Sequence, residues 1–414
     1  MHRKHTLPLW RNLNFLLLWC GQIVSTLGTS ISKLALPLLI LALTHSPAQA
    51  GLLAAVRQAP YILFSLPAGA LVDRWNRKAV MIYCDIARWL ALGSVPLAFV
   101  SGHLSVPQLY IAASIEGTAY VFFSLAQISA LPQIVPPERV PQACALDTTT
   151  EYIGLLLGPG LGALLIGLAP AVVVGAALAY LVDSASYLVS VVSLLFIRAP
   201  FQVERVWRKP ATLWQDVVEG LRFLWHHPLL RIMVLLTTAV NFLQGPLSLA
   251  TIVLAQGPLK LDVFTLGFVM SMSGIGGILG AIIAPWLHTR LRFGWLIIGS
   301  VILWALAQLL MALASWVPPL MLGLLLVGLL WPVYTVVLVS YRLSAAPDAL
   351  QGRVNSAFRF LSFGGEPLGT AIGGLLLASL GPRVVLGLSA AGLALCALVV
   401  TMTQLRTANP RNTT

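Results

Sequence analysis

The sequence predicts an all-α polytopic membrane protein, with about twelve transmembrane helices in two pseudo-symmetric six-helix bundles. Three observations carry this prediction. Only 9% of the 414 residues are charged and 58% are hydrophobic, whereas a water-soluble chain carries about 25% charged residues. Apolar runs of about 20 residues, the length that crosses a hydrocarbon core, recur from one end to the other. The basic residues are sorted by alternate loops.

The apolar runs fall at roughly 14–43, 48–72, 79–101, 105–131, 147–168, 171–197, 229–256, 262–287, 293–315, 317–341, 354–380 and 382–404. Lys33, Arg57, Arg88 and Arg359 lie within runs. Of the rest, one set of loops holds residues such as Arg11, Arg74, Arg77, Lys78, Arg139, Arg198, Arg290, Arg353 and Arg406, and the other holds only Lys260 and Arg383. By the positive-inside rule both termini and the long middle loop are cytoplasmic. The net charge of +12 is thus a topology signal and predicts no nucleic-acid partner.

The polar stretch 198–228 separates six spans from six, giving bundles at 1–197 and 229–414 around a linker. Pro200 and Pro210 precede Leu213 to Trp225, whose pattern predicts a short amphipathic helix at the cytoplasmic face. The halves echo each other. Pro136-Pro137-Glu138-Arg139-Val140 precedes the fifth span, and Ala346-Pro347-Asp348-Ala349-Leu350 the eleventh. A glycine-rich helix follows each, carrying Gly158-Pro159 or Glu366-Pro367-Leu368-Gly369. This is an internal repeat of about 210 residues.

The four cysteines show no paired spacing, and the histidines form no metal set; no metal and no catalytic constellation is expected. No Walker motif occurs, so no nucleotide is expected as partner or cofactor.

Polar residues form stripes at helical spacing. The first span carries Gln22, Thr26, Thr29, Ser30 and Lys33, the fourth Glu116, Tyr120, Ser124 and Gln127, and the seventh Thr237, Asn241, Gln244, Ser248 and Thr251. Such stripes face either neighbouring helices, as hydrogen-bonding residues, or a water-filled cavity. Five ionisable groups lie near mid-membrane: Lys33, Arg57, Glu116, Asp183 and Glu366. A charge at that depth costs roughly 2.5–3.5 kcal/mol, so these groups must pair, hydrate or change protonation. Arg57 with Glu116 and Lys33 with Asp183 are the expected pairings. A buried carboxyl can also exchange a proton, and Glu116 followed by Glu366 is favoured for that role over Asp183, on a helix expected at the periphery.

The segment Gly69-Ala70-Leu71-Val72-Asp73-Arg74-Trp75-Asn76-Arg77-Lys78 resembles the loop signature of the major facilitator superfamily of transporters. The fifth span, with Gly154, Gly158, Pro159 and Gly162, resembles the antiporter motif of exporting members, with Ala163 in place of its last glycine. Val217 to Leu224 followed by His227-Pro228-Leu229-Leu230-Arg231 resembles the linker of bacterial efflux members, and Gly352-Arg353-Val354-Asn355-Ser356 extends the likeness to the enterobactin-exporter and macrolide-efflux group.

The resemblance implies that the first, fourth, seventh and tenth helices line a central cavity, the tenth adding Trp331, Tyr334 and Thr335. It implies that Asp73 meets the start of the eleventh helix, while Arg74, Arg77 and Lys78 hold acids such as Asp85, Asp147 or Glu151 across a cytoplasmic gate. It also implies a proton-coupled exporter of drug-like or siderophore-like small molecules, acting as a monomer in the lipid bilayer and needing no cofactor beyond a proton gradient. One departure is Thr29 after Leu27-Gly28, where related first helices often carry an acid. An uncoupled facilitator or importer and a lipid translocator are the alternatives, with a non-transporting receptor last.

Overall fold

The computed structural model describes residues 9–199, 201, 213–347 and 350–406. Among them are fourteen α-helices and no strand. The first six are α1 (Leu13–Thr44), α2 (Pro47–Arg74), α3 (Arg77–Val100), α4 (Val106–Ile134), α5 (Val140–Gly167) and α6 (Val172–Phe196). After α7 (Leu213–His226) come α8 (Pro228–Gln244), α9 (Leu247–Gln256), α10 (Val263–Arg290) and α11 (Phe293–Ala312). The last three are α12 (Val317–Ala345), α13 (Gln351–Leu380) and α14 (Pro382–Thr401). Among the described residues, eleven segments are long and apolar enough to cross a membrane, with α8 and α9 counted as one. The 28-residue α2, which carries Arg57 and Arg74, is a further long helix. The short α7 falls where the amphipathic helix is expected; residues 202–212 of the linker lie outside the described residues.

Two features differ from the sequence reading. The seventh span is interrupted, because Pro246 has no N–H to donate and α8 stops at Gln244 before α9 begins at Leu247. The charged segment Gly69–Lys78 is not a loop of that length. Gly69 to Arg74 complete α2, Trp75 and Asn76 form the link, and Arg77 and Lys78 begin α3. Asn76 caps α3 by accepting from Ala79 N at 3.2 Å.

The chain forms two compact units, Met1–Ala35 with Ala59–Pro210, and Leu36–Gln58 with Ala211–Thr414. In the first unit, α5 lies directly on α1. A Cβ on Gly154 would come within 2.8 Å of Ser30 Oγ and 3.0 Å of Thr26 Cγ2, one on Gly158 would collide with Ser30, and one on Gly162 would meet Ile31 O at 3.0 Å. On its other side α1 meets α6, where Gly21 faces Ser193 and Gly28 faces Ser186.

The second unit repeats the device. Gly365 and Gly369 of α13 lie against the backbone of Thr238 and Phe242 on α8. In each unit a glycine-rich helix with a proline between its close contacts therefore packs directly on another helix, α5 on α1 and α13 on α8. Trp304, fully buried, centres an aromatic group with Trp331 and Tyr334, at ring-centroid distances of 5.8 and 5.1 Å. The linker helix belongs to this unit: Glu219 pairs with Arg353 of α13, and Gly220 sits against the Arg353 carbonyl.

His227 joins α7 to α8. Its Nδ1 accepts from Leu230 N at 3.4 Å, which requires a neutral ring, and its ring lies edge-on to Tyr341 at 6.1 Å. Burial pushes its pKa below the ordinary histidine value. Because the folded state favours the neutral ring, stability is complete above the unfolded value near 6.5 and is lost as pH falls below it.

Two outcomes are expected in thermal unfolding of the purified protein. Gly158→Leu, which inserts bulk where the α1 and α5 backbones meet, lowers stability by about 1–3 kcal/mol, whereas Gly387→Ala, where a Cβ meets nothing within 4 Å, is neutral or stabilising by up to about 1 kcal/mol. Between pH 7 and 5, wild type loses more stability than His227→Asn, whose cap does not titrate; equal losses would remove His227 from the pH response.

Candidate functional site

The third span positions a cation and an acid on one face, since Asp85 and Arg88 are three residues apart on α3. Arg88 Nη1 lies 3.4 Å from Asp85 Oδ1, with Arg88 4% exposed and Asp85 0%. Three rings enclose the guanidinium, with its Cζ 5.5 Å from the centre of Tyr120, 5.0 Å from Phe123 and 5.2 Å from Tyr187. Arg88 Nε and Nη2 and Asp85 Oδ2 are buried without a hydrogen-bond partner among the described residues. Glu116, 3% exposed and one turn from Tyr120 on α4, is a second acid within electrostatic reach of Arg88. Cation–π contacts contribute roughly 2 kcal/mol when desolvated, but they leave the N–H groups unmatched. The result is one guanidinium paired with Asp85 and enclosed by three aromatic rings, with a second carboxyl group, Glu116, within electrostatic reach.

Tyr187 links this cage to a neighbouring acid. Its hydroxyl lies 2.8 Å from Thr29 Oγ1, and Thr29 Oγ1 in turn donates to Asp183 Oδ1 at 3.5 Å. Ser32 donates to Asp183 Oδ2. Asp183 is 0% exposed, so although its helix was expected at the periphery, the carboxyl itself is fully enclosed between α6 and α1. Lys33 is exposed, and Arg57 and Glu366 are half-buried.

Many residues of the polar stripes are committed to neighbouring helices. Gln22 Nε2 donates to Ser190 Oγ at 3.4 Å, Ser30 fills the groove over Gly158, and Gln127 Nε2 donates to Asp147 Oδ1 at 3.0 Å. In the second unit Asn241 Nδ2 donates to Ser362 O at 2.7 Å, Gln244 Oε1 accepts from Gln308 Nε2 at 2.7 Å, and Tyr334 pairs its hydroxyl with Thr237 at 2.9 Å. Thr26 and Trp331 are half-buried, and Tyr120 remains 47% exposed.

The basic residues after α2 also differ from expectation. Lys78 Nζ donates to Leu195 O at 3.2 Å and Ile197 O at 2.7 Å, satisfying carbonyls at the negative end of α6. Arg77 Nη1 donates to Ser129 O at 2.8 Å and Phe201 O at 3.3 Å. Of the acids expected to face them, Asp85 pairs with Arg88 and Asp147 accepts from Gln127. Arg74 is exposed, and the Asp73 side chain lies outside what the structure describes.

The sequence reading placed Arg88 within a span but gave it no role, and assigned Asp85 to the cytoplasmic gate. The available signal was Asp85-Ile86-Ala87-Arg88, a charge pair at helical spacing well inside the run 79–101.

Comparison with known proteins agrees with this architecture. A family model described as Major Facilitator Superfamily matches residues 18–370 and 259–414. The multidrug efflux pump Tap of Mycolicibacterium fortuitum is 26% identical over 379 residues, covering 87% of this chain and 88% of that protein. Macrolide efflux protein A of Streptococcus pyogenes is 24% identical over 277 residues, 65% of this chain and 66% of that one. Among solved structures, a bacterial homologue of the human lysosomal transporter Spinster superposes with a TM-score of 0.77 at 16% identity, covering 96% of this chain and 97% of that one. A bacterial homologue of the iron transporter ferroportin gives 0.73 at 16% identity, with coverages of 95% and 98%. The chain, a multi-pass membrane protein with this helical architecture, belongs to the major facilitator superfamily of transporters.

Proposed function

We propose that the protein is a proton-coupled exporter of drug-like or siderophore-like small molecules, working by alternating access in a bacterial inner membrane with both termini cytoplasmic. Export is supported by relatives named as efflux pumps that align over 87% of the chain. Coupling is supported by the cage around Arg88, the observation on which this reading rests.

Two carboxyl groups, Asp85 and Glu116, compete for one guanidinium that cannot itself give up a proton. When Glu116 takes a proton, Arg88 turns toward Asp85; when Glu116 releases it, Arg88 is drawn to both. The rings of Tyr120 and Tyr187 move with the cation they enclose, and Tyr187 carries the change to Thr29 of α1. Protonation is thereby converted into a rearrangement between helices α3, α4, α6 and α1. The partly exposed Tyr120 ties the same cage to a surface that a substrate can reach. Glu366 of α13 is the second candidate carrier.

The test begins with a susceptibility screen of macrolides and dyes in an efflux-deficient host. Wild type should lower accumulation of at least one compound, and Asp73→Asn should abolish that effect; no effect of wild type on any compound would overturn drug export. With the compound so found, its addition to acid-loaded inverted vesicles should release protons. Transport without proton movement would establish the uncoupled facilitator instead. Glu116→Gln should flatten the pH dependence of transport and slow it by about tenfold or more, equivalent to about 1.4 kcal/mol. An unchanged pH profile would remove Glu116 from the coupling mechanism.

A further inference from the structure

We infer that the turn between α10 and α11, with the C-terminal turn Gln404–Arg406 packed on it, binds the headgroup of an anionic phospholipid. Arg290 ends α10, Arg292 directly precedes α11, and Arg406 closes the C-terminal turn. Packing brings the last of these to the other two. A Cβ on Gly294 would collide with the Leu405 carbonyl and stand 3.2 Å from Arg406 Cα. All three arginines are exposed. Two of them lie over tryptophans, with Arg290 Cζ 6.0 Å from the ring centre of Trp286 and Arg406 Cζ 5.7 Å from that of Trp295. Trp286 and Trp295 are 60% and 45% exposed, and Leu291, between Arg290 and Arg292, is 50% exposed.

The chain supplies little negative charge here. From residue 263 to the C-terminus the sequence holds eight arginines and two acids, Asp348 and Glu366. Asp262 caps the opposite end of α10, about 40 Å away along a 28-residue helix. None of the three arginines forms an ion pair with a described residue. The turn between α2 and α3 is built the other way: its Arg77 and Lys78 donate to backbone carbonyls of neighbouring segments. Three like charges at one turn repel each other, and an anion among them removes that repulsion. A planar guanidinium holds a phosphate group through two parallel hydrogen bonds. The tryptophans decide which anion. Indoles exposed at the ends of membrane-spanning helices sit at headgroup level, and with Leu291 they offer apolar surface to acyl chains. A soluble phosphate would leave that surface uncovered, whereas a phospholipid covers it. The proposed topology decides only which leaflet supplies the lipid, and it points to the cytoplasmic one, whose surface is negative.

The experiment uses the full chain in detergent, titrated with phosphatidylglycerol or phosphatidylcholine and read by the lipid retained in native mass spectrometry. Wild type should retain phosphatidylglycerol saturably and in preference to phosphatidylcholine. Arg290→Gln combined with Arg406→Gln should weaken that retention by about tenfold or more, and Trp286→Ala should weaken it less, in the same direction. Arg11→Gln combined with Arg198→Gln removes the same charge from exposed positions of the first unit and should leave it unchanged. Arg290→Lys combined with Arg406→Lys, which keeps the charge but loses the fork, should bind at intermediate strength and serves if the Gln variant does not fold. Equal loss in the two Gln variants would reduce the effect to net charge and overturn the site. Equal retention of the two lipids would overturn it too, as would displacement of phosphatidylglycerol by excess inorganic phosphate.

Discussion

Lipid tails solvate leucine as well as a neighbouring helix does, so burial of apolar surface does not hold membrane helices together. What holds them is close backbone approach and hydrogen bonding between helices, and both units of this protein are built on that constraint. Gly154, Gly158 and Gly162 admit Thr26, Ser30 and Ile31 against the α5 backbone. Gly365 and Gly369 do the same for Thr238 and Phe242 against α13. Pro159 and Pro367, each between two of these contacts, lie inside their helices, where a proline removes one backbone hydrogen bond. Without these approaches the hydroxyl and amide side chains of α1 and α8 could not reach their partners, and the interior charges of the first unit would lose the walls that enclose them.

The same constraint divides the polar residues into two classes. Gln22, Asn241, Gln244 and Tyr334 spend their hydrogen-bonding capacity on an adjacent helix. Each such bond contributes about 0.6 kcal/mol in a bilayer, modest singly but directional, and so it fixes helix rotation more than it adds stability. Tyr120 belongs to the other class. One face of its ring meets Arg88 while nearly half of its surface stays open.

The helical, multi-span fold was legible because it depends on properties additive along the chain: run length and charge sparsity. The short helix α7 and the glycine-rich helices α5 and α13 were legible from local sequence pattern in the same way. The site was less so, because helical periodicity says that a residue turns away from lipid but not what it turns toward. Ser30 and Tyr120 look alike in a stripe, yet Ser30 fills a glycine groove and Tyr120 stays open. Asp85 shows the limit most clearly. Its nearness to a basic segment suggested a partner there, but Arg77 and Lys78 point back to carbonyls of neighbouring segments, and the helix turn that places Arg88 three residues on decides the pairing. The break before Pro246 was not readable from the proline alone, since Pro159 and Pro367 lie inside unbroken helices.

The two units treat enclosed cations in opposite ways. In the first, Arg88 stands with Asp85 and Glu116, and its charge balance changes when a carboxyl gains or loses a proton. In the second, Arg342 stands with Arg359 and rests on an aromatic face, and a guanidinium keeps its proton throughout the working pH range. A proton can therefore adjust the first arrangement but not the second. On the proposed reading, that difference places the response to a proton gradient in the first unit, at the carboxyl groups around Arg88, and not at Arg342.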